Sequence, residues 1–209
     1  MAVAFTAEER ARITACLLDT AEELFAAQGL KKTTLEELVA PAGIAKGSFY
    51  AFFDSKEELY KEVMIRRAPL VGERLAASLG RPPGPEALAA LMRDLADVLT
   101  SDPFYRRLIT RPDELAAVAR RVGPDEVARI TPYVLTPLLD YVARAQRDGL
   151  VVRDAGPDVI VGVLRAAGLV TVNRHLFGDA YEQVLDATVT ALARGLTTPG
   201  AHGTGERGA

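Results

Sequence analysis

Apolar residues return at every third or fourth position along most of the chain, the spacing of helices that bury one face. Ile13, Leu17, Ala21, Leu24 and Phe25 mark such a face on a first helix, which Gly29 should end. Leu88, Leu91, Leu95, Val98 and Leu99 point inward from a helix over Glu86 to Thr100. Tyr181, Val184, Leu185, Thr188, Val189, Leu192 and Leu196 repeat the pattern from Tyr181 to Leu196. The helix before that one differs: Val159, Ile160, Val163, Leu164, Ala167, Leu169, Val170 and Val172 cover most of its circumference. Gly162, Ala166, Ala167 and Gly168 on it allow another helix to approach closely. A helix apolar nearly all round must be covered on two sides, one of them its own core. No segment shows the period-two alternation and flanking turns of a strand. The run Leu150-Val151-Val152 follows Asp148-Gly149 and reads as a helix end, so the fold class is all-α.

Proline and glycine divide the rest. A helix from Lys56 toward Leu79 should bend or lose regularity at Pro69. Gly80 to Pro85 is a loop. Asp102-Pro103 starts a short helix through Ile109, and Arg111-Pro112-Asp113 starts another through Arg121. Gly123-Pro124 leads a long helix to about Arg147, which Pro132 and Pro137 should kink or split. Gly156-Pro157 opens a helix through about Phe177, and Gly178-Asp179 separates it from the last one. From Thr197 the chain is small, polar and glycine-rich, and residues 197–209 are expected to be disordered.

The stretch from Thr33 to Glu58 carries the most information. Thr34 and Glu37 have the spacing of a capping box, in which a hydroxyl and a carboxylate each accept a backbone N–H of the other's residue. Ala42-Gly43-Ile44-Ala45 breaks that helix, with Gly43 suited to a tight inter-helix turn. A second short helix, about Lys46 to Phe53, opens with a cation, a glycine and a hydroxyl, and Ser55 with Glu58 forms another capping box. Two helices joined by a glycine turn, the second presenting small and polar residues at its start, form a helix-turn-helix that fits a DNA major groove. The motif spans about residues 34–53.

Thr34, Ala42-Gly43, Lys46-Gly47-Ser48, Phe49-Tyr50, Phe53 and Ser55-Lys56-Glu57 together resemble the N-terminal DNA-binding domain of the tetracycline-repressor (TetR) family. The resemblance covers residues 8–68 and implies a three-helix DNA-binding domain. It implies a C-terminal helical ligand-binding and dimerisation domain over 69–196. Lys46, Gly47 and Ser48 would open the recognition helix, where Lys46 and Ser48 reach phosphate or base edges and Gly47 lets the backbone approach. Tyr50 resembles the family tyrosine whose hydroxyl donates to phosphate, with a half-buried core position as the alternative. Ala51 matches a family position that is exposed and often helps read bases, where a methyl can only touch a thymine methyl or leave space. Lys56 resembles a phosphate-contacting lysine, and Thr33 and Thr34 are further candidates, although capping alone accounts for Thr34. The chain departs from the family pattern at three places. Ala45 stands where a hydroxyl often caps the recognition helix, a loss of about 1 kcal/mol. Pro41 removes a backbone donor, and Phe52 replaces a residue that is often polar.

Composition narrows the reading further. With 209 residues, 49% of them hydrophobic and 25% charged, the chain suits one or two globular domains. A net charge of −3 argues against indiscriminate polyanion binding, although all five lysines, Lys31, Lys32, Lys46, Lys56 and Lys61, lie in the first 61 residues. The single cysteine, Cys16, excludes an internal disulfide framework and reads as a small buried hydrophobe. His175 reads as a surface or dimer-edge residue. With these two, no zinc, nucleophile or phosphate-binding glycine constellation can be assembled, so no catalytic residue, metal or cofactor is implied. No signal-like start and no membrane-length apolar run is present, so a cytoplasmic protein with no membrane partner is expected.

With these readings, the resemblance implies a ligand-responsive transcriptional regulator, a homodimeric repressor of a palindromic DNA operator released by an unidentified small molecule. In TetR-like proteins the last two helices pair with their symmetry mates in a four-helix bundle, which here would use Val163, Ala167, Val170, Tyr181, Leu185, Thr188 and Leu192; the alternative is that the apolar helix is the central helix of a monomer. Phe104, Tyr105, Tyr133, Leu138 and Tyr141 are candidate ligand-lining residues, with Arg107 or Arg165 placed to meet an anion. Two rival readings are a helical adaptor that has lost DNA binding and, with less support, a small-molecule enzyme.

Overall fold

Local sequence signals start most of the helices. The structure, a computed structural model, describes residues 5–198. Thr6 and Glu9 form a capping box at the head of α1 (Ala7–Gln28), and Gly29, at φ +84°, ends it. Thr34 and Glu37 form the same box at α2 (Leu35–Val39), and Gly43, at φ +66°, makes the turn that follows. A 3₁₀ helix, Lys46–Ala51, comes next. Ser55 accepts the N–H of Glu58 at 3.1 Å to open α3 (Lys56–Arg66). After α4 (Ala68–Leu79), proline occupies the first turn of α5 (Pro85–Ser101), α6 (Pro103–Ile109), α7 (Pro112–Ala119) and α8 (Pro124–Ile130), where its missing N–H is not needed. Then come α9 (Leu135–Arg147), α10 (Pro157–Val172) and α11 (Tyr181–Leu196). Among the described residues the only β-type pairing is an isolated bridge between Val151 and Thr197.

Several expectations are refined. The second helix of the motif is a 3₁₀ helix that ends at Ala51, shorter than the expected run to Phe53. Ala45 gives it no side-chain cap, and 3₁₀ winding is common in segments this short. The long helix before Arg147 is split between Ile130 and Leu135, as Pro132 demands. The helix expected to reach Phe177 ends at Val172 and passes into 3₁₀ turns, Arg174–Leu176 and Gly178–Ala180. Leu150 to Val152 is extended: Val152 donates to the Leu196 carbonyl at 2.9 Å, and Thr198 donates to that of Leu150 at 3.1 Å. Thr197 is accordingly buried and its hydroxyl donates to Ala193, so disorder does not begin at 197. The expected disorder of 199–209 lies outside the described residues.

The chain forms two compact units, and the first is not continuous in sequence. Residues 102–130, expected in the second domain, pack with residues up to Ala68. Aromatic stacking explains why. Tyr60 of α3 lies between Phe25 of α1 and Phe104 of α6, with ring centroids 4.9 and 4.4 Å away, and its hydroxyl donates to the Phe104 carbonyl at 3.0 Å. Leu17, Leu38, Phe49, Leu59 and Leu108 are among the other members of this core. In the second unit α10 packs on α5, α9 and α11 around Leu91, Leu138, Tyr141, Leu164 and Val189. Among the described residues no helix is long and apolar enough to cross a membrane.

Candidate nucleic-acid interface

The 3₁₀ helix is held from beneath by two buried aromatic residues, Phe49 and Phe53, whose rings lie 6.0 Å apart in the first core. That anchorage turns the remaining positions outward. Ala45, Lys46, Gly47, Tyr50 and Ala51 are exposed, and Ser48 is half-buried. Tyr50 is 59% exposed, which removes the core alternative for it. A Cβ built on Gly47 meets nothing within 4 Å, so its backbone lies open to an approaching surface. Lys46 pairs with Glu36 of α2 at 2.7 Å. The hydrogen bond between them raises the lysine and lowers the carboxyl from their ordinary ranges. An exposed pair of this kind is weak in water, so a phosphate can take the ammonium over. The surface therefore offers one cation, a phenol, a backbone free of side chain and two methyl groups, a set suited to phosphate contact and apolar touch on thymine methyls.

Other candidates serve the scaffold. Thr33 is fully buried, and its hydroxyl donates to the Gly29 carbonyl at 2.8 Å. Thr34 is exposed but its side chain is engaged with Glu37. The ammonium of Lys56 turns inward and donates to the carbonyls of Leu30 at 2.8 Å and Thr33 at 2.6 Å. It steadies the α1–α2 connection and is not aimed at solvent. Phe52 is half-buried and packs on Phe5, centroids 5.3 Å apart, so it completes a small apolar cluster. Arg10, which sequence reasoning missed, donates to the Ala51 carbonyl at 2.7 Å across 41 positions. No local pattern announces such a bond.

The two other candidate sets are also dispersed. Phe104, Tyr105 and Arg107 fall in the first unit, whereas Tyr133, Leu138, Tyr141 and Arg165 fall in the second. Phe104 is core, and Arg107 donates to the Gln28 carbonyl at 2.7 Å, where it caps α1. Burial raises the Tyr105 hydroxyl to about 12, against the pull of the Arg67 guanidinium. Leu138 and Tyr141 are buried together in the second core, and the Tyr141 hydroxyl has no hydrogen-bond partner there. Arg165 and Tyr133 are exposed. Of the expected dimer residues, Ala167 and Tyr181 are buried within their own chain, and the Tyr181 hydroxyl pairs with Thr171 at 3.1 Å. Val163, Val170, Leu185, Thr188 and Leu192 are half-buried. The most exposed apolar residues of α10 are Val159, at 53%, and Leu169, at 64%, both on the helix expected to be apolar over most of its circumference. Cys16 is half-buried against the first core, and His175 is exposed.

Comparison with known proteins adds to this geometry. The family described as bacterial regulatory proteins, tetR family, matches residues 17–63. The HTH-type transcriptional repressor KstR2 of Rhodococcus jostii is 48% identical over 48 residues, covering 23% of this chain and only 24% of that repressor. The uncharacterized HTH-type transcriptional regulator TtgW of Pseudomonas putida is 30% identical over 104 residues, 50% of this chain and 78% of that protein. The crystal structure of RolR in complex with the ligand resorcinol superposes with a TM-score of 0.64 at 18% identity, over 91% of this chain and 90% of that one. At that identity the likeness is one of fold.

Proposed function

This chain belongs to the TetR family of bacterial regulatory proteins, and we propose that it represses transcription as a cytoplasmic homodimer that binds a palindromic DNA operator and is released by a small molecule. One observation carries the proposal: Ala45, Lys46, Gly47, Tyr50 and Ala51 are all exposed on a segment anchored by Phe49 and Phe53. A rigid support with an open backbone at Gly47 is what close approach to a major groove requires. Two such faces related by a two-fold axis match two half-sites of a palindrome.

The dimer contact we propose is the α10–α11 surface, centred on exposed Val159 and Leu169, with Val163, Val170, Leu185, Thr188 and Leu192 around them. A helix with this much apolar surface outside its own core is suited to cover a second copy. The effector site we propose lies in the second unit around Tyr141. A buried phenol without a partner costs roughly 1–3 kcal/mol, which a ligand with a hydrogen-bonding group and an apolar body would relieve. RolR, a protein of this fold, holds a molecule of that kind, resorcinol, in its crystal structure. Release follows if the effector binds better to the dimer conformation whose recognition segments no longer match the half-sites.

A mobility-shift assay on the region upstream of the protein's own gene, at moderate salt with competitor DNA, tests the proposal. A discrete complex that survives competitor supports it. Binding that competitor abolishes at every tested site, including sites offered from the whole genome, sinks it in favour of an adaptor.

A further inference from the structure

The DNA-reading segment Lys46–Ala51 is a single short 3₁₀ helix with no side-chain cap at its start. Such a segment leaves terminal carbonyls without intrahelical partners and is unstable by itself. Its start is tied to α2 by the Lys46–Glu36 pair, which is exposed and weak. Its end is tied to α1 by Arg10. One guanidinium nitrogen donates to the Ala51 carbonyl at 2.7 Å, and the guanidinium carbon sits 4.9 Å from the centroid of the Phe52 ring. Phe5 packs against Phe52 at 5.3 Å. A cation at a helix C-terminus is favoured by the peptide dipoles as well as by the bond itself. Phe49 and Phe53 hold the segment from beneath, and Arg10, itself exposed, reaches its last residue from a separate element with a planar group that also stacks.

We propose that Arg10 is a positioning residue for sequence recognition: it fixes the C-terminal end of the reading segment through Ala51 and Phe52, and it does not act through phosphate. The inference rests on reading Lys46–Ala51 as the DNA-contacting segment. The face that carries Tyr50 and Ala51 is adjacent to the clamped carbonyl, so loosening the clamp changes where those side chains meet the bases. Charge lost from a phosphate contact and order lost from the reading segment leave different signatures. The first lowers the salt dependence of binding; the second blurs base preference.

The full-length protein, Arg10→Met and Arg10→Lys are compared in three measurements. These are amide hydrogen exchange of the free protein, selection from random-sequence duplex DNA, and the salt dependence of affinity for the selected site. Arg10→Met is expected to speed exchange across residues 46–52 by about tenfold while α3 keeps its protection, which also verifies that the variant is folded. Its preference for the best site over singly substituted sites should fall by roughly tenfold, the scale of one good base contact. Its salt slope should stay unchanged. Arg10→Lys can still donate to Ala51 and should recover most of the base preference. The inference is overturned if Arg10→Met lowers the salt slope by about one phosphate, roughly 0.9, with base preference intact. Unchanged exchange across 46–52 overturns it as well. If the unmodified protein selects no sequence, the reading beneath the inference fails. Faster exchange in Arg10→Met would then show that the clamp exists and that DNA recognition is the part in error.

Discussion

Lys61 is almost fully buried, and three carboxylates meet it: Glu126 at 2.8 Å, Glu58 at 2.6 Å and Glu62 at 3.6 Å. Burial pulls its ammonium down, but Glu126 and Glu58 outweigh that and hold it above its usual range. The bond from Lys61 and a second from the Gly123 N–H hold the Glu126 carboxyl at about 2, below its ordinary 4.5. A carboxyl depressed in the folded state contributes stability above the unfolded value, and that contribution is lost as pH falls from 4.5 toward about 2. Glu126→Gln should therefore melt below the wild type at pH 7, and the gap should close as pH drops through this window. A gap constant with pH would contradict the assignment. Gly29→Ala is expected to cost about 1–3 kcal/mol in urea denaturation, because the position has positive φ. Its Cβ would also lie 2.8 Å from Arg107 Nε. Tyr141→Phe removes the unpartnered hydroxyl; it should leave the free protein as stable or up to about 1 kcal/mol more stable, while raising the effector concentration needed to release DNA. An effector response unchanged in that variant would move the ligand site elsewhere.

At the scale of elements, what could be read along the chain and what could not follow from the range of the interactions. Thr34 with Glu37, Gly43, Asp102-Pro103 and Pro112 act on their own neighbours, so the starts of α2, α6 and α7 and the turn of the motif were legible. Lys56 was not, because its partners, the carbonyls of Leu30 and Thr33, are 26 and 23 positions away. A lysine at a helix start has the same sequence appearance whether it faces phosphate or a neighbouring turn. Phe104 and Arg107 read as pocket surface because their real partners lie in α3 and at the end of α1. The absent cap at Ala45 was legible in the sequence, whereas the 3₁₀ winding of Lys46–Ala51 was not. Ala45→Ser should supply that cap. It is expected to add up to about 1 kcal/mol of stability and to slow amide exchange at the start of the segment. No change in exchange there would mean that Ala45 does not limit the helix.

At the level of the whole molecule, the proposed recognition of a palindrome needs two copies of the chain. Leu169, exposed and apolar on α10, should tolerate replacement within one chain but not across a dimer contact. Leu169→Asp is expected to keep its helical content and to sediment as a monomer at concentrations where the wild type sediments as a dimer, since a charge placed in an apolar contact is costly. A variant that still sediments as a dimer would remove α10 from the interface. The proposed palindrome recognition depends on the exposed residues of Lys46–Ala51 being presented twice. Hydroxyl-radical footprinting of the protein on its selected site tests this most directly, with Lys46→Glu as the matched control. Two symmetric protected patches are expected on one side of the duplex, their centres about 34–36 Å or a multiple apart, with no protection by the control. A single patch, protection without symmetry, or a footprint that persists in Lys46→Glu would contradict the proposed recognition.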